Sequence, residues 1–513
     1  MHQRYWGTAA AAITTAALVI GIALRLLLAL VNLEANDSHL NVIGAIAFEH
    51  RFLTLEQDWE GFQPKLYHTI AALFWRLLPT HDPYVLIRAA QLISCAAGIL
   101  TLVVILYFLR YLNAMHDRTS HVAKRTLRLS GAIAFAAVAL SPALVGISAQ
   151  ATNDAFVILF GSLTLYAGVR VFAEARGFDF VALVLWATLA GLSKGNGLVA
   201  IVAIAASFAI IAIIEPNAAR RQGAAIRGVI FVALVGLSVA LIGPYYSHQR
   251  QYGTPFATNW RPSPRPFFLQ ETFVGRPGLT SVVYGLFTFH LVDLLRRPEL
   301  GDHGDATNYP RYRTSLWSML YGQAHSAQFM SWPPAWAARS PLTLQIIRAL
   351  ILLGLVPMAL FTYGFVVIAR ETTLGCWRAR RRNLEPEADA VAQWPATLLL
   401  LIAAAGYLAF IAVFSIRLRD YSSMKTIFIL PALPAFTAAL DVGVARVLAW
   451  AKRGDSRACG GGLHRAIVHA VVLLAFALLF LGYVADLGVL AAQLVDDRAD
   501  GVPPQNAALD FVP

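Results

Sequence analysis

The chain has 513 residues, of which 58% are hydrophobic and only 14% are charged, and its mean hydropathy is +0.60. A soluble protein of this length needs more polar surface, so the composition excludes a soluble globular protein and indicates a polytopic helical membrane protein. The net charge of +12 does not indicate nucleic-acid binding, because the basic residues are grouped in short stretches between apolar runs.

Apolar runs of about 20 residues, the length that a helix needs to cross a bilayer, recur along the chain. They predict about eleven transmembrane helices and an all-α polytopic fold. The first run is long for a signal peptide and has no convincing cleavage site, so we expect it to be a retained span. The predicted spans are 9–33, 86–109, 129–147, 154–173, 178–193, 197–214, 227–247, 341–369, 394–415, 426–449 and 466–490.

The positions of Lys and Arg predict which loops face the cytoplasm. With the N-terminus inside, the main basic clusters, such as that in 378–382, fall on the cytoplasmic side. Two long external segments result. The sequence therefore predicts a transmembrane module over 1–247 with its first outer loop at 34–84, an external cap over 248–340, and C-terminal transmembrane helices with a short external tail over 341–513.

Both long external segments have features of folded structure. Residues 66–78 are apolar but too short to cross a bilayer, and their pattern predicts an amphipathic helix that lies on the membrane. Segment 248–340 is rich in Pro, Trp, Tyr and Arg, whereas a flexible linker is poor in aromatic residues. We expect it to form a folded cap over the external side of the bundle.

Two acidic residues lie where an apolar run ends on the predicted external side. Asp37 follows the first span, and Asp154 occupies the short break between the third and fourth spans. Carboxylates at the mouth of a helical bundle can act as acid or base on a substrate held in the lipid, or bind a metal ion. The ordinary alternatives are that Asp154 caps the helix it opens and that Asp37 is a solvated loop residue. Their common location favours a catalytic role for both.

Three residues beside the predicted amphipathic helix are candidate substrate ligands. Lys65 can pair with a lipid phosphate. Tyr67 and His68 can contact the substrate, or they can serve only as anchors at the membrane interface.

Two predicted external turns carry further cations. Lys194 follows Gly191-Leu192-Ser193, and it either extends along its helix to solvent or binds a phosphate. Arg417, Arg419 and Lys425 depart from the positive-inside trend, which an anionic phosphate at the outer surface would explain. No histidine has the spacing of a metal motif such as HExxH, so no metal ligand is assigned and a divalent cation is left open.

Several short motifs occur in one order along the chain, and together they resemble the GT-C superfamily of integral membrane glycosyltransferases. The resemblance is to the bacterial branch related to dolichyl-phosphate-mannose protein mannosyltransferases and aminoarabinose transferases. The motifs are the acid Asp37, Gln63-Pro64 with Leu66-Tyr67, Ser141-Pro142, Asn153-Asp154, Gly191-Leu192-Ser193-Lys194, Tyr252-Gly253-Thr254-Pro255-Phe256 and the Arg-rich outer turn.

The resemblance implies a helical bundle with two interfacial helices in the first outer loop, located in the inner membrane of a bacterium. It implies a sugar donor linked to polyprenyl phosphate, a glycan, lipid or protein acceptor, and inverting transfer on the periplasmic face. Asp37 matches the family's catalytic base and Asp154 its second acid, while Lys194 and the 417–425 turn match regions near the lipid phosphate. Relatives often carry a paired Asp-Glu where this chain has Asn36-Asp37, a single carboxylate.

Two other function classes make different predictions. A transporter or flippase of a lipid-linked or anionic substrate predicts charges buried in mid-helix and discontinuous helices. A structural subunit of an envelope complex predicts that replacing the outer acids leaves any activity intact. The charges of this chain concentrate at the outer mouth and in the cap, which favours an enzyme.

Overall fold

The computed structural model describes an all-helical membrane protein. Within the residues that it describes, every element is helical, and nine helices are long and apolar enough to cross a membrane. A tenth crossing results if one bent pair of helices counts as a single span. The predicted fold class is therefore confirmed. The described residues are 2–32, 39–58, 60–116, 127–258, 279–296, 298, 315–327, 341–381, 393–417, 425–452 and 461–499.

The helices are numbered in chain order. Those of the N-terminal part are α1 (His2–Val31), α2 (His39–Phe48), α3 (Leu66–Leu77), α4 (Pro83–His116), α5 (Leu129–Ala139), α6 (Pro142–Ser148), α7 (Asp154–Glu174), α8 (Gly177–Ser193), α9 (Gly197–Ile214) and α10 (Ala218–Ile242). The described parts of the predicted cap contain α11 (Tyr245–Tyr252), α12 (Leu279–Phe287), α13 (Leu291–Arg296) and α14 (Leu316–His325). The remaining helices are α15 (Pro341–Leu353), α16 (Leu355–Arg381), α17 (Trp394–Arg417), α18 (Leu433–Lys452) and α19 (Gly461–Ala499).

The predicted span 129–147 is a bent pair rather than one straight helix. Helices α5 and α6 meet at 47° where Ser141 precedes Pro142. Proline has no amide hydrogen for the helix, and it moves the residue before it out of the helical region. The predicted span 178–193 corresponds to α8, whose 17 residues are at the lower end of the length range of membrane-crossing helices.

Helix α7 is enclosed by other helices of the bundle. It packs against α4, α8, α9, α17 and α18, and most of its side chains are buried. Helix α7 approaches Pro431 closely at Gly161, where an added Cβ would lie 2.7 Å from the Cβ of Pro431. Because Asp154 is the first residue of α7, the enclosure places this acid at one end of the bundle, surrounded by neighbouring elements.

The described residues of segment 34–84, the predicted first outer loop, contain two helices, as the resemblance implies. Helix α3 matches the predicted amphipathic segment, and α2 packs against it. The Tyr67 hydroxyl donates to the Ala90 carbonyl at 3.1 Å, and Trp75 Nε1 donates to the Leu86 carbonyl at 2.7 Å. Since both acceptors belong to α4, these bonds fix α3 against a transmembrane helix.

Close helix packing gives a first testable prediction. An added Cβ at Gly364 of α16 would lie 1.8 Å from the Ala439 carbonyl oxygen of α18, so these helices must separate to accept it. We expect Gly364→Ala to lower the thermal stability of the purified protein, at a cost of about 1–3 kcal/mol or more for overpacking. Gly236→Ala in α10 is the matched control, since nothing lies within 4 Å of its added Cβ. Equal melting temperatures for both variants would contradict this packing.

Candidate functional site

Asp154 takes part in a buried ion pair. Its Oδ2 accepts hydrogen bonds from Lys194 Nζ at 2.7 Å and from Thr152 Oγ1 at 3.1 Å. Both charged side chains are buried. Asn153, rather than Asp154, occupies the cap position of α7, and its side chain makes no capping bond. The structure therefore directs the Asp154 carboxylate toward a lysine and not toward the amides of its own helix.

Lys194 is held on a second side by an aromatic ring. The residue follows α8, and its Nζ lies 5.4 Å from the ring centroid of Phe428. Nearby, Asn196 Nδ2 donates to the Phe428 carbonyl at 3.2 Å. A cation against an aromatic face and a carboxylate is well compensated for its burial. Lys194 is thus a fixed charge inside the protein, and it does not extend to solvent.

Residues of the first outer loop reach the same end of the bundle. Gln63 Oε1 accepts a hydrogen bond of 2.7 Å from Asn153 Nδ2, which joins the loop to the start of α7. Two histidines of the loop contact each other, with 2.9 Å between His39 Nδ1 and His68 Nε2. Glu60 Oε2 lies 3.7 Å from His39 Nδ1. His68 is fully buried, so it does not act as an anchor in the membrane interface.

Lys65 lies in this loop immediately before α3. Its Nζ donates to the Glu60 carbonyl at 2.9 Å and to the Gly61 carbonyl at 2.8 Å. Burial lowers the pKa of Lys65 to about 8, although the charges of Glu60 and Asp58 oppose the shift. Its ammonium group is therefore hydrogen-bonded to neutral carbonyl oxygens, while the carboxylates of Glu60 and Asp58 favour its charged form.

The pKa values of the two histidines are lowered by burial and by nearby positive charges. Burial lowers the pKa of His39, and the charges of Lys194, Lys65 and Lys425 lower it further. Burial also lowers the pKa of His68, as do His39, Lys65 and Lys194. Both rings are consequently neutral near pH 7. The charges of three lysines from separate segments of the chain thus all act on His39; we call Lys65, Lys194 and Lys425 the lysine cluster.

The segment that carries Lys425 is anchored to the described part of the cap. The Thr426 amide donates to Gln323 Oε1 at 2.8 Å, and Thr426 Oγ1 donates to the Leu320 carbonyl at 2.9 Å. Both partners belong to α14. These bonds fix the residue after Lys425, so the third cation of the cluster is attached to a rigid element.

The structure brings together several residues that the sequence singled out, and it leaves others outside the described residues. Asp154 pairs with Lys194, His68 contacts His39, and the charges of Lys65, Lys194 and Lys425 act on His39. Tyr67 instead donates to the Ala90 carbonyl of α4. Asp37 and Arg419 lie outside the described residues, and only the backbone of Arg417, at the end of α17, is described.

Three members of the site were not predicted as functional: His39, Glu60 and Gln63. Gln63 lies in the Gln63-Pro64 motif directly before Lys65, which is the signal that could have identified it. His39 and Glu60 have no such signal, because their contacts join residues far apart within the loop. In the part of the chain that the structure describes, no group of three or more His, Cys, Asp or Glu residues is arranged to hold a metal ion.

Comparison with known proteins gives matches among solved structures. No protein-family model and no curated protein matches the chain. The chain is similar to ArnT from Cupriavidus metallidurans bound to undecaprenyl phosphate, with 14% identity, a TM-score of 0.44, and coverage of 97% of this chain and 78% of that one. For the apo state of ArnT the identity is 15%, the TM-score is 0.33, and the coverage is 88% and 79%.

At this level of similarity, the neighbours alone support no functional assignment. The chemistry of the site itself must support one.

Proposed function

We propose that this chain is a membrane glycosyltransferase that moves a sugar from a polyprenyl-phosphate-linked donor to an acceptor on the external face of a bacterial inner membrane. The acceptor is a glycan, a lipid or a protein. The observation that carries the proposal is the buried pair of Asp154 and Lys194 at one end of a membrane bundle, together with the charges of all three members of the lysine cluster acting on His39.

A lipid-linked phosphate fits this site in charge and in location. The phosphate supplies the negative charge that the lysine cluster attracts, and its polyprenyl chain can remain in the bilayer around the apolar helices. As the bond between sugar and phosphate breaks, negative charge grows on the departing phosphate. Ammonium groups already in place stabilise that charge without reorganisation, which lowers the barrier to transfer.

The reaction needs one base on the acceptor side. An acceptor hydroxyl oxygen bonds to the anomeric carbon, the bond from that carbon to the phosphate oxygen breaks, and the hydroxyl proton passes to a carboxylate. We assign this carboxylate to Asp37. His39, which is only two residues further along, belongs to the site, and two residues span at most about 7 Å. A single displacement of this kind inverts the sugar.

Asp154 has a different role in this proposal. Its carboxylate is bound to Lys194 at 2.7 Å, so it is engaged and is not available to take a proton from an acceptor. It acts as a positioning residue that holds the Lys194 ammonium toward the phosphate. The phosphate leaves as a stable anion, so transfer depends less on a general acid than glycoside hydrolysis does.

The transporter alternative receives some support from charges within the spans. Arg25 of α1 is fully buried, as is Asp486 of α19. The Arg25 guanidinium donates to the Gly21 carbonyl at 2.9 Å and to the Ala139 carbonyl at 2.7 Å, which binds α1 to α5. These contacts account for Arg25 as a structural residue. We prefer an enzyme to a transporter because the lysine cluster lies at the end of the bundle and beside the first outer loop.

Lys65 gives a prediction that tests phosphate binding directly. Because the pKa of Lys65 is lowered to about 8, its positive charge is lost as the pH rises through that value. We expect the affinity of the protein for undecaprenyl phosphate to fall above pH 8, by at most about tenfold per pH unit, since one proton is linked to binding. Lys65→Arg keeps its charge at high pH and should remove the decline. Binding is measured in nanodiscs over a pH series.

The control ligand for this test is undecaprenol, which has the same chain and no phosphate. It should bind far more weakly, and its affinity should not depend on pH in this range. Equal binding of the alcohol and the phosphate would contradict the proposed phosphate site. A pH-independent affinity for the phosphate in the wild type would contradict the role of Lys65.

A further inference from the structure

A separate cavity lies beside the two helices of the first outer loop. It has a volume of about 190 Å³ and is formed by the end of α2, the turn that follows it, and α3. Its lining includes Ile46, Arg51, Phe52, Leu73 and Arg76. No member of the lysine cluster lines it, so its chemistry can be considered apart from the proposed transfer site.

Two arginines give the cavity a basic rim. Arg76 Nε donates to the Ala47 carbonyl at 2.8 Å, and its Nη2 donates to the Ile46 carbonyl at 3.2 Å. These bonds satisfy the C-terminal carbonyls of α2 and hold the guanidinium at the cavity. Arg51 is exposed, and its Nε contacts Glu49 Oε2 at 2.6 Å. Two guanidinium groups against one carboxylate leave a net positive charge, which favours an anion.

The turn between these arginines is held in an uncommon conformation. His50, the residue before Arg51, has a φ of 58°, in the left-handed region that non-glycine residues seldom occupy. The side chain of His50 contacts that of Arg76, and both residues line the cavity. The left-handed residue reverses the chain after α2, and Arg51 and Phe52 thereby join the lining formed by α3. This conformation ends α2, because it lets the Arg51 amide donate to the Ala45 carbonyl at 3.3 Å.

Two apolar side chains of the lining are exposed. Phe52 is 61% exposed and Leu73 is 54% exposed, and Phe74 and Leu77 continue the apolar surface along α3. Helix α3 ends only a few residues before α4, a membrane span that begins at Pro83. The cavity therefore lies near the end of a span, where the boundary of a surrounding bilayer falls.

We propose that this cavity binds the phosphate head group of an anionic membrane phospholipid. Arg51 and Arg76 bind the phosphate oxygens, and Phe52 and Leu73 contact the start of an acyl chain. A lipid fits better than a free anion, because inorganic phosphate would leave the apolar walls exposed to water. The bound lipid attaches the α2–α3 unit to the membrane surface.

Native mass spectrometry of the full chain, titrated with phosphatidylglycerol or with phosphatidylcholine, tests this site. The wild type should retain phosphatidylglycerol in preference to phosphatidylcholine. Arg51→Gln, at an exposed position, should lower the affinity for phosphatidylglycerol by about tenfold through the loss of one charge-assisted contact. Arg250→Gln is the matched control, an exposed arginine of α11 outside the cavity, and it should bind phosphatidylglycerol as the wild type does.

Three results would overturn the proposal. They are equal retention of the two lipids by the wild type, wild-type affinity in Arg51→Gln, and displacement of phosphatidylglycerol by inorganic phosphate at comparable concentration. Undecaprenyl phosphate binding at the lysine cluster should be unchanged in Arg51→Gln, so the outcome is independent of the proposed transferase function. Phe52→Ser provides a second variant, and it should weaken lipid binding without a change in charge.

Discussion

Asp37→Asn is expected to lower the rate of sugar transfer by about 10²–10⁴-fold, which is the usual contribution of a general base. Asparagine has nearly the same shape as aspartate but cannot accept the acceptor's proton at neutral pH. Binding of the lipid donor should change little, because the phosphate is held by the lysine cluster. The expected signature is a large loss of kcat at an almost constant donor affinity, measured by transfer kinetics and by donor titration in nanodiscs.

Asp82→Asn is a suitable control for this experiment. Asp82 is an exposed acid of the same outer loop, and its Oδ1 accepts a hydrogen bond from the Tyr84 amide at 2.9 Å. Asparagine can make the same bond, so transfer should remain at the wild-type rate. Full activity in a folded Asp37→Asn protein would remove Asp37 from the mechanism, and an equal loss in both variants would indicate a general effect of loop charge.

Lys194→Gln is expected to have two effects, on stability and on donor affinity. Without Lys194, the buried Asp154 carboxylate loses its cation, and breaking a buried ion pair in this way typically costs about 3–5 kcal/mol. Loss of one charge-assisted contact to the phosphate should also weaken donor binding by about 10–100-fold. Thermal unfolding and donor titration measure the two effects separately.

The double variant Asp154→Asn with Lys194→Gln separates these effects. It removes both charges of the pair, so much of the lost stability should return. Donor affinity should stay low, because the phosphate still lacks its cation. A double variant that binds the donor as tightly as the wild type would contradict the role of Lys194 in phosphate binding, and the ion pair would then be structural only.

Much of the fold could be predicted from hydropathy alone, because a bilayer requires long apolar helices. The predicted spans coincide with helices of the structure, such as 394–415 with α17. The differences arise from local chemistry that a hydropathy average does not contain. Pro142 divides the predicted third span into α5 and α6.

Individual residues of the site could be predicted from the sequence, but the contacts between them could not. Asp154 and Lys194 each stood out as charges at the ends of apolar runs, yet their contact joins residues 40 positions apart, and no spacing rule contains it. The bond between Gln63 and Asn153 spans 90 positions. Such pairings follow from the way α7 packs against α8 and against the loop before α3, which is decided by the tertiary structure. The assignment of Asp37 stays a prediction, since it lies outside the described residues.

The most direct test of the central claim is a transfer assay with the protein in nanodiscs. A panel of radiolabelled polyprenyl-phosphate sugars is offered together with candidate acceptors, and the release of free polyprenyl phosphate is followed. We predict that the wild type consumes one donor and releases one polyprenyl phosphate for each sugar transferred. The contradicting result is that no donor is cleaved while such lipids cross a vesicle membrane containing the protein, which is the behaviour of a flippase.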